Sequence, residues 1–79
     1  MREPWYCEFL LSSGEQITVI AERDDCEAVV REWEEAAESF NTETAPMIRL
    51  SGFDNSFERR KMSVSVTATD IKAIVAGAV

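Results

Sequence analysis

Residues 25–40, DCEAVVREWEEAAESF, decide how the rest of the chain must be arranged. Cys26, Val29, Val30, Trp33, Ala36, Ala37 and Phe40 recur at intervals of three and one, which gathers them on one stripe of a 3.6-residue helix. The intervening positions are mostly acidic: Glu27, Glu32, Glu34, Glu35 and Glu38, with Arg31 the exception. Such a segment buries one side and shows a negative back to solvent. The remaining chain has to supply the surface on which the stripe lies.

The segments on either side alternate with the period of strands. In residues 4–11, PWYCEFLL, Trp5, Cys7, Phe9 and Leu11 share one face and Tyr6, Glu8 and Leu10 the other. In residues 16–21, QITVIA, Ile17, Val19 and Ala21 oppose Gln16, Thr18 and Ile20. For both apolar faces to coincide, odd positions must pair with odd positions, which a two-residue turn does not allow. A three-residue loop of Ser12, Ser13 and Gly14 does, pairing Leu11 with Glu15, Phe9 with Ile17 and Cys7 with Val19. It places Gly14 at the left-handed position such a loop requires. Asp24 or Asp25 is the expected helix cap, and Glu22 and Glu27 suit the positive end of its dipole.

After the helix, residues 41–45 form a polar link and Pro46 restricts its predecessor to extended geometry. Residues 47–53, MIRLSGF, read as a strand with Ile48 and Leu50 on one face; Gly52 marks a bulge or a strand end. Turn residues at 54–56 lead into FERRK, the one concentrated basic stretch. Residues 62–68, MSVSVTA, alternate with Met62, Val64, Val66 and Ala68 inward. In the closing TDIKAIVAGAV, Ile71, Ile74 and Val75 have helical spacing, yet β-branched residues and Gly77 disfavour a helix. A turn at residues 69–71 and a fifth strand at 72–76 is the preferred reading, with a terminal helix as the alternative. The expected fold is α+β: one domain over residues 1–79, an antiparallel sheet of four to five strands in the order β-β-α-β-β, and one helix across a single face.

Seventy-nine residues bury only about 60% of their unfolded surface, so support from a second subunit is in keeping with the size. The net charge of −7 is unevenly placed. Residues 1–45 hold twelve acids against three arginines, whereas residues 46–79 hold three acids against five bases, or −9 against +2. An acidic surface repels nucleic acid and anionic lipid, and suits basic proteins or sites that ordinarily hold nucleic acid. Direct nucleic-acid and membrane binding are therefore not expected. Met1 precedes charged residues rather than an apolar run, and no stretch approaches a membrane span, so the expected compartment is the cytoplasm.

Chemistry has little to work with. The chain has no histidine, which removes the commonest general base and metal ligand. Cys26 near a helix start has the dipole in its favour, but Asp24, Asp25, Glu22 and Glu27 oppose a thiolate. Cys7 lies on the inward face where it can meet Cys26, and a bond between them is not expected in a reducing cell. Glu34 and Glu38 read as a solvated pair, and no loop gathers ligands for a divalent cation. Neither a cofactor nor enzymatic activity is expected.

The candidate sites are therefore contact surfaces. Glu27, Glu34, Glu35 and Glu38 form an acidic helix face for a basic or nucleic-acid-binding protein. Trp5, Tyr6, Arg59, Arg60, Lys61 and Ile74 are candidates for self-association, because surface aromatics and an apolar terminal strand edge need covering and the basic loop answers an acidic helix. These features favour a non-enzymatic protein-binding module of homo-oligomeric habit, such as an inhibitor or accessory protein of a phage or mobile element. A structural subunit of an assembly is the alternative, and a small enzyme a remote third.

Overall fold

A computed structural model describes residues 3–38 and 46–79. Five strands and one helix follow in the order β1 (Pro4–Leu11), β2 (Gln16–Glu22), α1 (Arg23–Glu38), β3 (Met47–Phe53), β4 (Lys61–Thr67), a 3-10 turn (Ala68–Asp70) and β5 (Ile71–Ala78). The strands make one antiparallel sheet in the spatial order β4-β3-β2-β1-β5. The fold is thus α+β with the fifth strand present. The expected helix end near Phe40 and the polar link at 41–45 lie outside the described residues.

The first hairpin is built as its parity requires. Phe9 pairs with Ile17 and Cys7 with Val19. The Leu11 N–H donates to the Glu15 carbonyl at 2.9 Å, and Gly14, at φ +92°, donates back to Leu11 at 2.9 Å. Several boundaries differ from expectation. The helix begins at Arg23, two residues early, so Asp24 and Asp25 occupy its first turn and do not cap it. The cause is long-range: the Arg23 N–H donates to the Glu3 carbonyl at 3.0 Å, which ties the helix start to the chain just before β1. The 3-10 turn takes Ala68 from the expected β4, which instead starts at Lys61.

The terminal segment shows why it read ambiguously. Leu11 pairs with Ile71 but Leu10 pairs with Ala73, so Lys72 is bulged out of register. The bulge places Ile71 and Ile74, three apart, on the same inward face. A helical spacing is thereby satisfied by a strand.

The sheet cannot be flat. Crossing from β4 to β5 along a flat edge would traverse four inter-strand spacings, roughly 19 Å. From Thr67 to Ile71 the chain reaches at most about 14 Å. The two edges therefore curl toward each other at this end, where Ala68 N–H donates to the Pro46 carbonyl at 2.9 Å and Ser12 N–H to the Asp70 carbonyl at 2.8 Å. At the opposite end β2 and β3 meet at a single pair, Ile20 with Phe53. Gly52 is required there for close approach: a Cβ on it would stand 2.2 Å from the Ile20 carbonyl oxygen and 3.0 Å from Val19 Cγ1. It lies at the end of β3, one residue before Phe53, as one of the two expected readings has it; its pairing with Met62 is in register, so it is not a bulge.

The concave face holds the core: Cys7, Phe9, Val19, Ala21, Ile48, Leu50, Val64, Ala68 and Ile71 from the sheet side, Cys26 and Val29 from the helix. Trp33, Ala36, Met62, Val66 and Ile74 pack around it, half-buried. Ala37, expected on the stripe, is exposed. Ile20 departs from the alternation, being only 3% exposed although it points away from the helix. Its ladder neighbours are Tyr6 on one side and Phe53 on the other, and side chains opposed in this way lie within contact distance.

Cys7 and Cys26 are both free and fully buried. Burial, then the neighbouring Cys26, pushes Cys7 up to about 12, and burial followed by the Asp25 charge raises Cys26.

Two predictions follow from this packing. Gly52→Ala costs about 2–3 kcal/mol by urea denaturation because backbone must move, whereas Gly14→Ala pays about 1 kcal/mol for its positive φ alone. Equal losses would show that the β2–β3 crossing is looser than described. The thiols set an alkaline limit: an unfolded cysteine ionises near 9.0 while folded Cys7 holds its proton to about 12. Across that window the unfolded state binds fewer protons, so this contribution is full below about pH 9 and is lost toward pH 12. Cys7→Ala should flatten the fall of stability with pH, and an unchanged slope would assign it to other groups.

Candidate interaction surface

Seven acids and two arginines give α1 a charge of −5 within sixteen residues. With Cys26, Val29 and Trp33 held against the sheet, Glu32, Glu34, Glu35 and Glu38 are left exposed. Glu27 is different from the other three site candidates. It is half-buried and accepts from Arg23 Nε at 2.9 Å, so its charge is already paired. Arg23 also reaches Glu3 at 3.5 Å and stacks over the Trp5 ring with its guanidinium carbon 5.2 Å from the centroid. Trp5 is thus clamped beside the helix start, half-buried, with its carbonyl 4.0 Å from Cys26 Sγ.

That clamp forms one end of a shallow open groove of about 610 Å³ between α1 and β5. Trp5, Val30, Ile74, Val75 and Ala76 supply its apolar part; Glu27, Arg31 and Glu34 supply its charged rim. β5 is an edge strand, so one row of its backbone N–H and C=O groups lacks a strand partner. The single lysine of the strand, Lys72, sits at the bulge, and the seven residues after it carry no charge. Val75 and Val79 are more than half exposed. The structure therefore unites Trp5, Ile74, Glu27 and Glu34 in one place. It does not bring in Glu35 or Glu38, which lie on the helix outside the groove lining. Tyr6 is on the other face of the sheet, half-buried over Gly77, whose added Cβ would stand 3.0 Å from the Tyr6 hydroxyl.

Arg59, Arg60 and Lys61 stand elsewhere, at the β3–β4 loop. This loop is tied together by Asp54, whose Oδ1 accepts from Ser56 Oγ at 2.6 Å, from the Arg60 N–H at 3.1 Å and from the Ser56 N–H at 3.2 Å. The Ser56 hydroxyl foremost, with these backbone donors, holds Asp54 below the usual carboxylate range. Arg59 takes a positive φ of 51° to close the turn, its N–H donating to the Ser56 carbonyl at 3.2 Å. Glu58 accepts from Arg60 Nε at 2.6 Å. The loop raises Phe57 into solvent with its side chain fully exposed, at 103% of its reference area.

Phe57 was not among the residues expected to make contacts; Val30 was expected on the buried stripe and Val75 within the apolar terminal strand, neither as lining of a groove. Phe57 had a visible signal, an aromatic residue outside any alternating run and separated from three consecutive bases only by Glu58. Nothing local joined Val30 to Val75, since the groove they line exists only where helix and edge strand meet. Among the described residues no group of three histidine, cysteine, aspartate or glutamate side chains is placed to hold a metal ion, and no helix is long and apolar enough to cross a membrane. Comparison with protein-family models, with curated proteins and with solved structures finds no match to this chain.

Proposed function

We propose that this chain is a non-enzymatic protein-binding module whose acidic helix and adjoining groove receive a basic partner. The observation that carries this reading is the groove between α1 and β5. It combines an apolar floor of Trp5, Val30, Ile74 and Ala76, the Glu34 carboxylate at the rim and the free edge of an uncharged strand. Each part answers a different feature of an extended basic segment. The strand edge answers its backbone, the floor its apolar side chains and the carboxylates its cations. Charges at such a rim chiefly steer encounter and select partners, while the desolvated aromatic supplies affinity. A partner that normally holds nucleic acid fits the same chemistry, and an inhibitor or accessory protein of a phage or mobile element would use the acidic ridge as its decoy.

A structural role, as one subunit of a homo-oligomeric or phage assembly, draws on a separate observation, the solvent-raised Phe57 amid Arg59 and Lys61.

A fluorescein-labelled peptide of alternating lysine and valine tests the first reading. Reversing Glu34, Glu35 and Glu38 to lysine should weaken its binding by about tenfold or more while the melting temperature moves little, because all three are surface positions. Binding that survives the reversal rejects the acidic face as the partner surface.

A further inference from the structure

We infer that the groove between α1 and β5 takes the β3–β4 loop of a second copy of this chain, with Phe57 as the inserted side chain, so that copies join head to tail. The inference rests on the protein-binding reading of the groove and names its occupant. Both halves of the contact are present on every copy. One is a fully exposed aromatic ring on a loop held by five hydrogen bonds of its backbone and the Asp54 side chain, and the other an apolar trough beside a helix of charge −5.

The charges left on the two surfaces are opposite in sign. Within the loop, Asp54 is turned onto the loop's own donors and Glu58 is bound to Arg60, which leaves Arg59 and Lys61 as the cations flanking Phe57. In the groove, Glu27 is bound to Arg23, which leaves Glu34 on the rim and Glu38 one turn further along the same side of the helix. Arg31, also on the rim, opposes a basic visitor and limits the attraction. The ring enters against Trp5, Val30 and Ile74, and its burial removes roughly 150–250 Å² of apolar surface from water.

A copy cannot fill its own groove. The sheet order puts the β3–β4 hairpin at one edge and β5 at the other, and the short 3-10 connection brings β4 and β5 together only at the end away from the loop. The contact is therefore heterologous: each copy offers a plug to one neighbour and a socket to another, which yields an open chain or a ring according to the rotation per step. The contact area is small, so assembly is weak, rising with concentration and falling with salt.

Sedimentation velocity on the full chain tests this. The weight-average sedimentation coefficient should rise with concentration at low salt and stay at the monomer value in about 0.5 M salt. Phe57→Ser, at a fully exposed residue, should leave circular dichroism unchanged and the protein monomeric throughout. A socket variant, Glu34→Lys with Val75→Arg, both at exposed positions, should likewise be monomeric. Mixing the two restores one intact plug and one intact socket, so the mixture should form dimers and nothing larger. Association that persists in Phe57→Ser points to self-pairing of β5 edges and overturns the inference, as does a mixture that stays monomeric. A wild-type chain that is monomeric at all salts yet binds the lysine–valine peptide overturns the inference while leaving the protein-binding reading in place. Loss of both overturns the two together.

Discussion

Three residues, Ala68 to Asp70, carry the chain from one edge of a five-stranded sheet to the other, and the rest of the molecule follows from how short that bridge is. A flat sheet would leave its edges too far apart for so few residues, so the sheet curls. Its concave side then needs only one helix to close it. The curl also separates β2 from β3 everywhere except at Ile20 and Phe53, and at that point only a glycine lets the backbones approach. The same bending carries the β3–β4 loop clear of the core at the far end, which is why an aromatic residue there finds nothing to pack against.

The core is small and wholly apolar in its buried membership. Among the described residues no charged or polar side chain is buried, and no buried side-chain nitrogen or oxygen lacks a partner. Two thiols fill the position where β1, β2 and α1 converge. They behave there as small hydrophobes, because burial and the carboxylate of Asp25 both resist a thiolate. Nothing in the core therefore asks for a particular charge, and the chain is free to sort its charges on the outside. The helix gathers the acids of the first half, while the β3–β4 loop presents the bases of the second. A charge asymmetry along the chain becomes one across the surface.

The two edges of the sheet are protected unequally. β4 begins at Lys61 and shows serines and a threonine to solvent, chemistry that discourages pairing with another chain. β5 has one lysine at its bulge and then only small and aliphatic residues. What shields it is the neighbouring helix, which turns the edge into the floor of a groove instead of an open flank. In the proposed binding role, an acidic chain is repelled at this edge before its backbone can engage, and a basic one is not. In this way the helix serves both the interior, through Cys26 and Val29, and the surface, through Glu34.

Local periodicity carried most of the architecture. The alternation in residues 4–11 and 16–21 set both the pairing of the first hairpin and the need for a positive φ at Gly14, since a one-residue slip would turn an apolar row into water. The 3.6-residue stripe likewise placed Cys26 and Val29 inward and four glutamates outward. These signals are legible because they depend on neighbours a few positions apart. Contacts between distant residues decided the rest: the helix start at Arg23, set by Glu3; the bulge at Lys72 that lets Ile71 and Ile74 share a face; the burial of Ile20 between Tyr6 and Phe53; and the crossing at Gly52. The groove belongs to the same class. Its walls come from residues 5, 27–34 and 74–76, and only the order of strands in a bent sheet brings them side by side.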